Sequence, residues 1–187
     1  MSAGDPSPSS IGFLETTSIA KGVEATDAML KRAAVELLMT TLVPRGKYLV
    51  MIGGMLADVE QAMLAGLETA GATVVDHFTI QNVHPQLPAA IRGRVKVPAI
   101  EAVGLIETKE VASAIYAGDA AVKAANVTLI EARNQPGAKG LVVLTGEVGA
   151  VRAAVSAGVA TIRKEGMLVA EVVIPYGHPD LLKTLVG

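Results

Sequence analysis

The sequence lacks cysteine and tryptophan altogether, and it contains only three histidines, three tyrosines and two phenylalanines among 187 residues. The absence of thiols excludes disulfides, thiolate zinc sites, cysteine-ligated iron–sulfur clusters and cysteine nucleophiles. Charged residues are scarce, at 18%, and the formal net charge is −2. Because no basic run appears either, nothing in the sequence indicates a nucleic-acid-binding surface.

Hydrophobic residues make up 51% of the chain, yet no apolar run reaches the roughly 18 residues that a membrane span needs. A small chain this rich in Ala, Val, Leu and Ile is expected to bury part of its surface in subunit interfaces. Residues 1–10 are polar and rich in Pro and Ser, without the apolar core of a signal peptide. We therefore expect a flexible tail and a cytoplasmic protein without membrane attachment.

The most informative feature is an internal repeat, in which residues 11–38 and 103–130 correspond at a constant offset. Near the end of each copy the offset becomes 94, where His84-Pro85 matches His178-Pro179. The repeat is far longer than a solenoid unit and close to a small domain, so it predicts a tandem duplication. The pairs at an offset of 92 include Gly12/Gly104, Glu15/Glu107, Asp27/Asp119, Lys31/Lys123 and Gly54/Gly146.

Each copy shows the order β-α-β-β-α-β, with a hairpin signal between its second and third strands. This order predicts two tandem, unpermuted ferredoxin-like domains of the α+β (α/β) class, with helices on one face of an antiparallel sheet. The predicted organisation is a tail at 1–10, a first domain at 11–91, a linker at 92–101 and a second domain at 102–187. The predicted elements are 11–16, 20–33, 35–43, 47–53, 56–70, 73–83 and 85–91, then 102–108, 112–125, 127–134, 139–146, 148–164, 167–175 and a last turn at 180–185.

Several motifs recur twice in the same order: a strand with GxxE-T, a helix with D-A-x-x-K, a glycine at the end of the third strand and the final His-Pro. With these motifs, residues 11–187 resemble the tandem-domain shell proteins of bacterial microcompartments. The phrases TSIAKG, DAMLK and NVHP are most similar to the propanediol-utilisation type.

The resemblance implies a homotrimer that forms a flat, pseudohexameric tile in the shell, beside other shell proteins and around encapsulated enzymes. It implies a pore on the three-fold axis, through which small polar metabolites diffuse. It also implies that the helix lysines, Lys31 and Lys123, lie at the tile edge. The implied pore-lining residues are Leu42, Val43, Pro44, Arg45 and Gly46 in the first copy and Gln135, Pro136, Gly137 and Ala138 in the second.

The sequence departs from this family at two places. Some relatives carry an iron–sulfur cluster through a cysteine in the first tip, where this chain has Pro44, so we expect no cofactor and no metal. Single-domain tiles often carry an arginine two residues before the last His, and here Asn82 and Tyr176 stand at those edge positions. The edge contact is therefore expected to differ.

Other interpretations of individual residues are open from the sequence. Gly53-Gly54 lacks a phosphate-binding motif and fits a strand end. Glu15 and Glu107 could form an acid–base pair, but without an accompanying nucleophile or His a hydrogen-bonding role at a strand end is favoured. The histidines lack the carboxylate spacing of a metal site.

The charge of Arg45 leads to a hypothesis about selectivity. If its tip surrounds a three-fold axis, three guanidinium groups ring the opening and favour anionic metabolites. The predicted function is thus a structural shell tile and not an enzyme. The alternative is a trimeric ferredoxin-like protein that binds or senses a metabolite between subunits, which would remain as discrete trimers instead of forming sheets.

Overall fold

The computed structural model describes residues 8–44, 46–135, 139–164 and 166–186. The chain divides into two compact units, Met1–Pro85 and Gln86–Gly187. Among the residues described, no helix is long and apolar enough to cross a membrane.

The first unit contains four strands and two helices in the order predicted from the sequence. Ser18 caps the first helix by accepting a hydrogen bond from the N–H of Lys21. The 3-10 turn Gly71–Thr73 precedes the last strand. The elements are β1 (Ser10–Thr16), α1 (Ile19–Arg32), β2 (Glu36–Val43), β3 (Lys47–Gly54), α2 (Leu56–Ala70) and β4 (Val74–Gln81).

The second unit begins with an additional short helix and then repeats the same order. It also ends in a helix where the sequence predicted only a turn. The elements are α3 (Leu87–Arg92), β5 (Ala102–Thr108), α4 (Val111–Ala124), β6 (Thr128–Gln135), β7 (Lys139–Gly146), α5 (Val148–Ile162), β8 (Leu168–Ile174) and α6 (Pro179–Val186).

The two sheets have the same topology and register. Their strand orders are β2-β3-β1-β4 and β6-β7-β5-β8, and the pairings along them are antiparallel. Even the irregularity in the edge strand recurs, between Leu37 and Met39 and between Leu129 and Glu131. The prediction of two tandem, unpermuted β-α-β-β-α-β domains is confirmed.

A repeated glycine allows the helices to lie close to each sheet. A Cβ atom added to Gly12 would lie 2.8 Å from the Met63 side chain of α2. One added to Gly104 would lie 2.7 Å from Val155 of α5. Such distances are below normal contact, so a larger residue would overpack the core.

The unit boundary and the predicted domain boundary differ. Residues 86–91, which we placed at the end of the first domain, group with the second unit because α3 contacts β6 and α4. At the N-terminus, Ser10 already belongs to β1, and the Ser9 hydroxyl donates a hydrogen bond to the Gly54 carbonyl at 3.0 Å. The described part of the predicted tail therefore contacts the first sheet.

Candidate functional site

The tip of the β2–β3 hairpin combines one buried and several exposed residues. Val43 is buried, whereas Leu42 is 62% exposed and Pro44 and Gly46 are exposed. Gly46 has φ = 74°, a backbone conformation that favours glycine. Arg45, the residue of the anion hypothesis, lies outside the described residues. The tip therefore presents an apolar side chain next to a tight turn.

At the start of the β6–β7 hairpin tip, the side chain of Gln135 is anchored by a buried carboxylate. Gln135 donates its side-chain N–H to Glu131, which is 0% exposed. The other residues predicted for this tip, 136–138, lie outside the described residues. A neutral amide anchored in this way can offer hydrogen bonds without adding charge.

Glu131 is the centre of a charge cluster in the second unit. Arg94 Nε lies 2.9 Å from its carboxylate and Arg133 Nε lies 3.0 Å from it. The equivalent residue of the first copy is Met39, a difference that follows from the offset of 92. Because both guanidinium groups stay partly exposed, the buried carboxylate is compensated while the cluster keeps access to solvent.

A lysine–glutamate pair stands beside each tip, at equivalent positions. Lys47 Nζ lies 2.8 Å from Glu15, whose side chain is buried, and Lys139 pairs with Glu107 in the same way. The predicted strand-end role of the glutamates thus takes the form of ion pairs. These pairs neutralise a cation and an anion at the base of each hairpin.

The two helix lysines have different surroundings. Lys31 pairs with Asp27 at 2.6 Å on an exposed surface, where the lysine side chain is 75% exposed. Lys123 pairs with Asp119, which is almost fully buried. Lys31 is therefore the more available of the two for contacts with another molecule.

Asn82 and Tyr176 follow the last strand of their respective units. Asn82 has a positive φ of 49°, which asparagine tolerates better than most residues. Tyr176 is 91% exposed. A large aromatic side chain this exposed is a candidate for intermolecular contact.

The described part of the chain contains no group of three or more His, Asp or Glu residues that could hold a metal ion. His77 lines an open cleft of about 320 Å³ together with Glu60 and Leu64. The cleft offers no converging ligand set, so it does not point to a catalytic or metal centre.

The two units also differ in an uncovered apolar surface that the sequence did not reveal. Val23 of α1 is 52% exposed, whereas its equivalent in α4, Ile115, is 0% exposed. Leu37 of β2 is 43% exposed, whereas Leu129 is 1% exposed. We call the surface formed by Ile19, Val23, Leu30 and Leu37 the α1–β2 face.

In the second unit, helix α3 packs on the equivalent elements, α4 and β6. Leu87 of α3 is completely buried. Just before it, Gln86 donates to the Val127 carbonyl at 3.0 Å and accepts from the Leu129 N–H at 2.7 Å. These bonds attach the segment to the edge of the sheet. An equivalent cover for the α1–β2 face is not formed by the described residues of the first unit.

Helix α5 carries a charged N-cap. The Glu147 carboxylate accepts hydrogen bonds from the N–H groups of Gly149 at 2.8 Å and Ala150 at 3.1 Å. These bonds stabilise the ionised carboxylate and hold the pKa of Glu147 below its ordinary value of 4.5. The equivalent residue of α2, Met55, forms no side-chain cap.

Both units are similar to known proteins. The family model of the BMC domain matches residues 10–83 and 102–176. The chain is 42% identical to the bacterial microcompartment shell protein PduT of Citrobacter freundii, over 94% of this chain and 97% of PduT. It is also 45% identical over 85 residues to the bacterial microcompartment shell protein PduA of Citrobacter freundii, which covers 46% of this chain and 91% of PduA.

A solved structure is similar over the same extent. The crystal structure of a microcompartment protein from Desulfitobacterium hafniense DCB has 45% sequence identity and a TM-score of 0.87. The superposition covers 93% of this chain and 98% of that chain. The similarity therefore includes both units and their order.

Proposed function

Because the chain belongs to the BMC-domain family of bacterial microcompartment shell proteins, we propose that three copies form a pseudohexameric tile with a central pore for small polar metabolites. The tile is a structural component of a microcompartment shell in the bacterial cytoplasm. It performs no catalytic step, and its partners are other shell proteins and the enzymes that the shell encloses.

The observation that carries this proposal is the duplication of one complete shell domain within the chain. PduA, a shell protein about half as long, aligns with one copy, and the two units share strand order and register. Two fused domains let three chains supply six similar domains around one axis.

Two unlike apolar surfaces support a ring. The first unit exposes the α1–β2 face, and the second exposes Val172 on β8 and Leu181 on α6. A contact between two different surfaces is head-to-tail, and such contacts close into rings when the rotation permits. Contacts between chains would thus bury the apolar residues that each chain leaves exposed.

We propose that the hairpin tips, residues 42–46 and 135–138, line the pore. Gln135 would offer neutral hydrogen bonds to a passing polar solute, and Glu131 holds its amide in place. Lys47 and Lys139 are paired with glutamates, and we propose that the charge of Arg45 biases the opening towards anions. Replacing Arg45 by Glu is expected to reverse the preference for anions over cations in a permeation assay, and an unchanged preference would discard this role.

Lys31, Lys123, Asn82 and Tyr176 are proposed to lie at the tile edge. The exposure of Lys31 and Tyr176 agrees with this placement. Electron microscopy of the purified chain tests it: we expect sheets or tubes that Lys31→Ala or Lys123→Ala disrupts while the trimer persists. Trimers that never associate laterally, even at high concentration, would favour a metabolite-binding protein over a shell tile.

A further inference from the structure

Arg133 of β6 has an ion-pair partner but no hydrogen bond among the described residues. Its Nε atom lies 3.0 Å from Glu131 Oε1, and this Nε atom is buried without a hydrogen-bond acceptor in the part of the chain that the structure describes. The side chain as a whole is 36% exposed. Glu131 is the one described carboxylate that pairs with it, so the N–H groups of its two terminal nitrogens, Nη1 and Nη2, are available to a ligand.

The carboxylate of Glu131 is already shared by two other donors. Oε2 accepts a hydrogen bond from Arg94 Nε at 2.9 Å, and Oε1 accepts one from the side-chain amide of Gln135. Two guanidinium groups thus surround a single carboxylate, which leaves one positive charge without a balancing negative charge. Because the carboxylate is completely buried while Arg133 is partly exposed, this excess charge can be reached from solvent.

The strand geometry places the excess charge beside the second hairpin tip. Side chains alternate between the two faces of a strand, so Glu131, Arg133 and Gln135 lie on the same face of β6. Two residues along a strand span about 6.6 Å, so Arg133 lies one step behind Gln135, which is proposed to line the pore. The first copy carries no charge at the two equivalent positions, which are occupied by Thr41 and Val43.

We propose that Arg133 is a docking site for a small oxyanion, a carboxylate or phosphate group. Nη1 and Nη2 form the end of a planar fork, which can donate two parallel hydrogen bonds to two oxygens of one such group. The bound anion supplies the negative charge that the cluster around Glu131 lacks. An oxyanion therefore gains both a charge partner and a matched pair of donors at this position.

This inference rests on the proposed pore and names the chemical class of solute that it favours. In a trimer, three copies of Arg133 surround one axis, and their field raises the concentration of anions near the opening. The role differs from that proposed for Arg45, which depends on charge alone. A fork with two donors discriminates in addition between an oxyanion and a chloride ion, because chloride has no second acceptor atom.

Isothermal titration calorimetry of the full-length chain tests the site, with inorganic phosphate and acetate as separate ligands and chloride as the reference anion at constant, low ionic strength. We expect phosphate and acetate to bind more tightly than chloride. Binding of only one of the two supports the site and assigns it to that group. Arg133→Gln is expected to weaken the binding at least tenfold. Arg133→Lys should also bind less tightly than the natural protein, because lysine keeps the charge but not the fork.

The matched control is Arg163→Gln, which also removes a partly exposed arginine that lies 3.0 Å from a glutamate. It should bind both ligands as the natural protein does. Arg133→Gln should fold normally, since Glu131 keeps Arg94 and Gln135 as partners, and urea unfolding checks this. If the variant does not fold, Arg133→Lys decides, and binding equal to that of the natural protein would contradict the role of the fork.

The outcomes separate this site from the proposed tile. If Arg133→Gln binds phosphate and acetate as tightly as the natural protein, or if neither ligand binds better than chloride, the docking role is wrong, while sheets in electron microscopy leave the tile standing. If an oxyanion binds through Arg133 to a chain that stays monomeric at every concentration, the site stands and the proposed pore does not.

Discussion

The single substitution that tests the trimer most strongly is Val23→Asp, because Val23 lies on the α1–β2 face. Val23 is 52% exposed in one chain, and its buried equivalent, Ile115, shows how completely such a position can be covered. Burying the exposed half of a valine side chain contributes about 1 kcal/mol. A carboxylate forced into the same contact without a partner costs several kcal/mol more.

The expected loss is therefore about 3–5 kcal/mol for each contact between chains, which weakens it by a hundredfold or more. Fold stability should change little, because the site is on the surface of the single unit. Light scattering with size-exclusion chromatography, at several concentrations, measures the result: Val23→Asp elutes as a monomer and Leu64→Asp as a trimer. If the Val23→Asp variant forms a trimer that resists dilution as well as the natural protein does, the proposed burial of this face is wrong.

Three further predictions concern the second unit. Gly158→Ala places a Cβ atom 2.7 Å from the Ala117 carbonyl oxygen, so we expect the free energy of unfolding in urea to fall by about 1–3 kcal/mol. The control Gly66→Ala, in the first unit, meets only a flexible methionine side chain, so its free energy of unfolding should fall less. Glu147→Ala should lower the melting temperature above pH 4.5. The difference in melting temperature from the natural protein should vanish as the pH falls through the lowered pKa of Glu147, because the protonated carboxyl no longer gains from its hydrogen bonds. A difference that does not depend on pH would contradict the capping role. Glu131→Gln should cost about 1–3 kcal/mol, since two partly exposed arginines lose their buried partner, and an unchanged urea midpoint would refute that.

The sequence was sufficient for the fold because the same pattern occurs twice. Apolar periodicity, the hairpin residues at 44–46 and the constant offset together specify two domains of one topology. Gly12 and Gly104 recur for a physical reason that becomes visible only in the packing, namely the close approach of α2 and α5.

Two features could not be obtained from the sequence. Val23 and Ile115 are both apolar and occupy equivalent positions in α1 and α4, so the sequence pattern cannot tell which of them is buried. The difference arises because α3 packs on α4 and β6. The cluster around Glu131 depends on Arg94, which lies 37 positions earlier in a segment without periodicity. The pore and edge roles of the tip and lysine residues stay predictions.

Two fused shell domains are proposed to close into a ring of three chains. Native mass spectrometry of the natural full-length chain measures this directly. A dominant particle with three times the mass of one chain, stable on dilution into the low micromolar range, is the predicted result. A chain that remains single throughout that range would contradict the account.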